Sequence, residues 1–221
     1  MTLAEIFEKV EAGNQNPTFT REDFILPLVN EAIQMVAERF CINELAGEKT
    51  ITISPSTANY IALPDDYNHD LYLLKNITDN NREINLRPNL LVLERLFPGE
   101  PRPGYVTDAA ATESMLYFAP ALYEAEGDQD LKLYYYTSVD EYEIGDVDET
   151  PEWIPKDLHK GLIVDFVLKE LWALEEDGID GQKINTAFYE NQHNKALQKM
   201  ARHTRFNPRC RPVVQRTARF H

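Results

Sequence analysis

The spacing of apolar residues divides this chain into stretches of two different periods. Residues 3–12 have helical spacing and stop at Gly13, with a polar GNQNP loop behind them. Thr20 reads as the N-cap of a longer helix, with Asp23 as a short-armed capping-box partner. Phe24, Leu28, Ala32, Val36 and Phe40 recur every fourth residue, and Ile25, Val29 and Ile33 widen the stripe. The pattern predicts a helix over 20–40 with one broad buried face. Pro27 is tolerable in it because it falls in the first turns.

Beyond residue 49 the period shortens. Segments 50–54, 59–63, 71–77, 83–86, 104–107, 114–119 and 131–137 are short β-branched or aromatic runs set off by Pro, Gly, Asn and Asp. They predict a small antiparallel sheet. Within it, 89–97 (NLLVLERLF) returns to helical spacing and stops at Pro98-Gly99, predicting a short helix between strands. The acidic run 140–149 (DEYEIGDVDE) reads as a solvated linker.

Helical spacing resumes at Pro155. Leu158, Leu162, Phe166 or Val167, Leu171 and Leu174 mark a buried stripe, and Gly178 is placed to close the helix as a C-cap. A second helix, from Gly181 to about residue 202, uses Ile184, Phe188, Leu197 and Met200. The two form an antiparallel hairpin that the 20–40 helix completes as a three-helix core. The fold class expected is α+β: a helical bundle of three or more helices with an inserted small antiparallel β-sheet and an extended C-terminal arm. The division expected is N-terminal bundle helices over 1–48 and an inserted β-rich domain over 49–140. An acidic linker and helical hairpin over 141–202 and an extended basic arm over 203–221 follow.

Composition supports a packed core: 221 residues, 43% hydrophobic and 10% aromatic. MTLAEIFEKVEAG lacks the basic and apolar regions of a secretory signal, and no run approaches the roughly 20 apolar residues of a membrane span. A soluble protein with no membrane association is expected. Cys41 and Cys210 have no paired spacing and read as reduced thiols.

Charge changes the picture. Net charge is −15, yet residues 195–221 carry eight Lys or Arg and no acid, against 14 basic and 37 acidic side chains before them. Asn207-Pro208 and Arg211-Pro212 disfavour helix in the same stretch. A basic, extended arm on an acidic body is suited to docking on a partner. The acidic body itself is unsuited to clamping nucleic acid.

Motifs for chemistry are few. The five histidines form no i, i+3 or i+4 pair, and HExxH, GxSxG, GxxxxGK[ST] and GxGxxG are all absent. Asp65-Asp66 after Pro64 lacks the acid-x-Lys partner of a nuclease, since Lys75 stands in LLKN, and reads as a turn. The acidic runs 146–149 and 175–180 lack the DxDxDG spacing of a calcium loop. No catalytic, cofactor or metal-binding residue is assigned. Trp153 reads either as a staple for the incoming chain or as an interface anchor.

The order of parts is informative. LPDDY (63–67), PGYVTD (103–108), LYFAP (116–120), LKLYYYT (131–137) and PEWIPKDLHKGLIVDFVLKELW (151–172) precede a helical hairpin with a charged end. This order, over roughly 20–200, resembles the head-to-tail adaptor (connector or head-completion) proteins of tailed bacteriophages, especially short-tailed ones. The resemblance implies a non-enzymatic virion protein assembled in the host bacterial cytoplasm. It implies a homo-oligomeric ring, usually of twelve copies, beneath the portal and continuing the genome-ejection channel. It further implies that the β-rich insertion meets tail or nozzle proteins and that the C-terminal arm docks on the portal. Carried over to this chain, Arg205, Phe206, Arg209, Arg211, Arg216, Arg219 and Phe220 would be arm contacts. Arginine suits that role through its bidentate pairing with carboxylates. An acidic channel wall would let packaged DNA pass without specific binding. Two alternatives stay open: a stopper or tail-tube component further from the portal, and a nucleic-acid-binding module acting through the Arg-rich tail.

Overall fold

A computed structural model describes residues 1–54, 60–96, 104–112, 114–119, 127–176 and 183–205, the side chain of Arg205 excepted. Among these residues it is a mixed α+β structure with five α-helices and two small sheets. The chain falls into two compact units, one of residues 1–45 with 139 onward, the other centred on residues 46–138.

In the helical unit, α1 (Leu3–Gly13) opens with a full capping box. Thr2 Oγ1 accepts from the Glu5 N–H at 3.2 Å, and Glu5 Oε2 accepts from the Thr2 N–H at 3.2 Å. Leu3, Ile6, Phe7 and Val10 form its buried face. At its end Gly13 faces Leu168, and a Cβ there would stand 2.7 Å from that side chain. Arg21 then ties the next segment back to α1, pairing with Glu11 at 2.5 and 2.7 Å and lying over the Phe7 ring at 5.3 Å. Thr20 caps as expected, accepting from the Asp23 N–H at 3.1 Å while its hydroxyl donates to the Asp23 carboxylate at 2.7 Å.

The predicted 20–40 helix is two pieces: a π turn over Arg21–Ile25 and α2 over Leu26–Arg39, with Pro27 at its start. The added residue in the π turn rotates the stripe. Ile25, Leu26, Val29, Ala32, Ile33, Val36 and Ala37 are buried, while Phe24 and Leu28 sit half-buried at its edge. A second π turn, Lys160–Val164, leads into α4 (Asp165–Glu176), and α5 (Ile184–Arg205) follows. The α4 segment packs against α1, α2 and α5. Leu162, Ile163, Val164, Phe166, Val167, Leu168 and Leu171 make it the most deeply buried stretch of the unit, each side chain contributing about 1.5–3 kcal/mol.

The buried stripe expected along the hairpin is corrected. Leu174, Ile184 and Phe188 are 59%, 65% and 54% exposed rather than part of the buried stripe. The buried residues of α5 are His193, Ala196, Leu197 and Met200. The C-cap predicted at Gly178 lies outside the described residues. The first turn of α5 is capped from the end of α4, where the Glu176 carboxylate accepts from the N–H groups of Asn185 at 3.0 Å and Thr186 at 3.2 Å.

In the β-rich unit the expectation of a single antiparallel sheet is also corrected. The first sheet runs β1 (Ala46–Ile53), β8 (Gln129–Thr137), β3 (Tyr67–Asn76), β4 (Arg82–Glu83) in spatial order, all antiparallel. The second runs β2 (Tyr60–Ala62), β7 (Met115–Phe118), β6 (Asp108–Ala111), β5 (Asn85–Arg87), with β5 and β6 parallel. The parallel pair needs a crossover, and α3 (Leu90–Leu96) provides it, setting Leu93 against Ala110 and Ala119. Segment 104–107, read as a strand, joins neither ladder and leads into β6 from a bend at Gly104. A core of Ile53, Leu74, Ile84, Leu116, Leu131, Leu133 and Tyr135 holds this unit together. The three consecutive tyrosines of β8 do not simply alternate in and out. Tyr135 and Tyr136 are both buried, Tyr136 against His69 and Tyr72 on the face opposite Tyr135.

Candidate docking grooves

Gly161, in the π turn ahead of α4, lets α5 approach closely: a Cβ at this position would stand 2.5 Å from Ala196 Cβ. The approach brings His193 Nδ1 to 3.0 Å from the Gly161 carbonyl, to which it donates, and its ring to 5.3 Å from Phe166. Burial pushes the His193 pKa below its ordinary value. Beside this junction lies Asp165, the first residue of α4 and 4% exposed. Its Oδ1 has no hydrogen-bond partner among the described residues. Burial raises its pKa, with Lys160 acting in the opposite sense.

Asp165 lines an open groove of about 340 Å³ that carries four cations, Lys160, Lys195, Lys199 and Arg202, against one exposed carboxylate, Asp157. Lys195, Lys199 and Arg202 recur at i, i+4 and i+7, so they share one face of α5. All four cations are exposed. None makes an ion pair among the described residues.

A second groove, of about 500 Å³, lies between α2 and segment 141–144. This segment, read as a solvated linker, is exposed along most of its length and is also held by hydrogen bonds. Asn30 exchanges two hydrogen bonds with the Tyr142 backbone, donating from Nδ2 to its carbonyl and accepting its N–H at Oδ1, each 3.0 Å. Gln34 Nε2 donates to Glu141 at 3.1 Å. Further along, the N–H groups of Leu3 and Ala4 donate to the carbonyls of Glu149 and Val147, both at 2.9 Å. The acidic run is therefore docked against α1 and α2. Glu22, Glu31, Glu141 and Glu143 line the groove above Leu26, with Ile144 44% exposed beside them. Burial, and then the charges of Glu149, Asp146 and Glu152, raise the Tyr142 pKa.

Of the residues singled out from the sequence, Arg205 is the last helical residue of α5, so the helix runs into the stretch expected to be extended. Phe206, Arg209, Arg211, Arg216, Arg219 and Phe220 lie outside the described residues. Trp153 is half-buried in the turn before α4, while Ile154 beside it is fully buried. The Asp65-Asp66 pair is a turn, as expected: the Tyr67 N–H donates to the Pro64 carbonyl at 2.9 Å, and Asp66 accepts the Tyr135 hydroxyl at 2.8 Å. Within the helical unit, no three ligand atoms of His, Cys, Asp or Glu converge among the described residues. No helix among them is long and apolar enough to cross a membrane.

The sequence reading missed both grooves. The spacing of Lys195, Lys199 and Arg202 was legible as one helix face, but the acidic groove depends on a pairing between residues 112 apart.

No curated protein matches the chain. The family model described as SU10 adaptor protein matches residues 1–216. The chain belongs to the SU10 adaptor protein family, a family of structural bacteriophage adaptors.

Proposed function

We propose that the protein forms the adaptor ring of the neck of a short-tailed phage, docking beneath the portal and connecting the DNA-filled head to the tail. Twelve copies would enclose part of the genome-ejection channel. The helical bundle is the ring body, and the β-rich unit inserted in it is the face offered to tail or nozzle proteins. The basic arm over 203–221 is the portal-binding element, with Arg205, Phe206, Arg209, Arg211, Arg216, Arg219 and Phe220 as its contacts, and Trp153 is a further interface anchor. Packaged DNA passes through the channel without specific binding.

The observation that carries this reading is the family match over almost the whole chain. The concentration of cationic charge after residue 194 supports the arm, because an Arg-rich segment can form many charge-assisted pairs with a carboxylate-bearing partner. Repetition around a ring turns weak contacts into durable attachment.

The test compares the full chain with one ending at residue 205, each alone and mixed with the portal protein of the same phage, by light scattering on a sizing column. Joining of the portal by the full chain alone supports both ring and arm. Equal joining by the truncated chain overturns the arm. Joining by neither, with the full chain shifting duplex DNA in a salt-sensitive way, replaces the adaptor with a nucleic-acid-binding role.

A further inference from the structure

The helical unit carries two grooves of opposite sign that share no lining residue. One carries Lys160, Lys195, Lys199 and Arg202. The other is lined by Glu22, Glu31, Glu141 and Glu143. α2, which builds the acidic groove, and α5, which builds the basic one, both pack against the central α4 segment, each presenting its own groove. We infer that these grooves are the two halves of the contact between neighbouring copies, the basic face of α5 on one copy seating in the acidic groove of the next.

Three features lead to a second copy as the occupant. Charge complementarity is the first: in a chain of net charge −15, four cations that make no ion pair among the described residues, set against one exposed acid, Asp157, are an exception to the surrounding field. Such an exception attracts an acidic surface, and the acidic groove supplies one. The second is apolar exposure: Ile144 is left 44% exposed beside the carboxylates of the acidic groove. A seated neighbour would cover it. The third is symmetry. Two different, complementary patches on one body make a head-to-tail contact, and such contacts repeat around an axis until they close. The inference rests on the ring reading proposed above and deepens it by naming the surfaces that join.

The test uses charge reversal on the full chain. One variant carries Glu31→Lys and Glu143→Lys, the other Lys195→Glu and Lys199→Glu. Assembly is measured by sedimentation velocity and native mass spectrometry, with and without the portal protein of the same phage. Each variant alone is expected to associate at least about tenfold more weakly than the parent, because like charges would face each other at every contact. Mixing the two variants is expected to restore assembly, since the reversed groove of one then matches the reversed face of the other. A misfolded variant would not be rescued by mixing, so rescue separates surface from fold. If the parent forms rings and both variants do so equally well, these surfaces are not the contact and the ring reading stands. If both variants weaken but their mixture stays unassembled, the pairing of the two grooves is overturned. If the parent remains monomeric both alone and with the portal, the ring reading fails and this inference with it.

Discussion

Gly161 and Ala196 meet across the junction of α4 and α5 so closely that a methyl group on the glycine would overlap the alanine, at 2.5 Å between Cβ atoms. The Gly161 carbonyl also accepts from His193 on the same helix. Gly161→Ala must push α5 outward or break that bond, and is expected to destabilise the helical unit by about 1–3 kcal/mol. The reciprocal change Ala196→Gly in the same chain should return much of the loss, because it reopens the space. Thermal melts of the two single variants and the double variant check this. Equal melting of the Gly161→Ala variant and the parent would count against close packing here.

Acidification should loosen the helical unit. His159 is fully buried, with Nε2 donating to the Ile154 carbonyl at 2.8 Å, and His193 is 4% exposed. Burial depresses both pKa values below 6.5. The unfolded chain therefore takes up protons that the folded one refuses. Stability is fully present above about pH 6.5 and is lost as pH falls toward the depressed values, by up to about 1.4 kcal/mol per pH unit for each histidine. Asp165 acts in the opposite sense at more acidic pH. Its raised pKa means that stability declines as pH climbs from 3.8 through the folded value, and Asp165→Asn removes that contribution. Urea unfolding at pH 7.5, 6.5 and 5.5 should show a falling midpoint, with a shallower fall in a His193→Gln variant.

The β-rich unit has an ion pair in which only the carboxylate is buried. Asp108, 4% exposed at the start of β6, accepts from Arg87 on neighbouring β5 through both Nε, at 2.8 Å, and Nη2, and from the Thr107 hydroxyl at 2.9 Å. Arg87→Met would leave a carboxylate nearly out of water without its counter-ion, at a cost of about 1–3 kcal/mol, since Arg87 is itself partly solvated. Replacing Asp108 by Leu in the same chain should recover a substantial part of that loss, since two apolar groups need no pairing. A double-mutant cycle in denaturant measures the coupling, and simple additivity would mean that the two groups act separately.

The elements that could be read in advance are those whose apolar spacing meets a buried partner over several turns. The face of α2 from Val29 to Val36 and that running through the second π turn into α4, from Leu162 to Leu171, belong here, as do the runs that became β1, β3 and β8. Periodicity marks an apolar face without saying what covers it. Leu174, Ile184 and Phe188 continue the stripes of α4 and α5 in sequence yet stand exposed. The runs 59–63 and 114–119 contain β2 and β7, but nothing local says that they pair in a sheet of their own, and the parallel pair of that sheet follows from the α3 crossover. The docking of segment 141–144 depends on Asn30, whose amide forms the two bonds of a strand edge from within a helix. Nothing near Asn30 in sequence announces it.

The chain order of the helical unit has a consequence for how the protein is made. Its two parts, 1–45 and 139 onward, are separated by the β-rich stretch. During synthesis α1 and α2 emerge first, carrying apolar faces whose cover, the α4 segment, has yet to be translated. The β-rich unit is complete by residue 138 and can fold while they wait. The final closure therefore joins segments far apart in the chain, which makes it the slow step. Until that step the nascent protein exposes Phe7, Val29, Ile33 and Val36 to any neighbour, including the same helices of other copies being made alongside it.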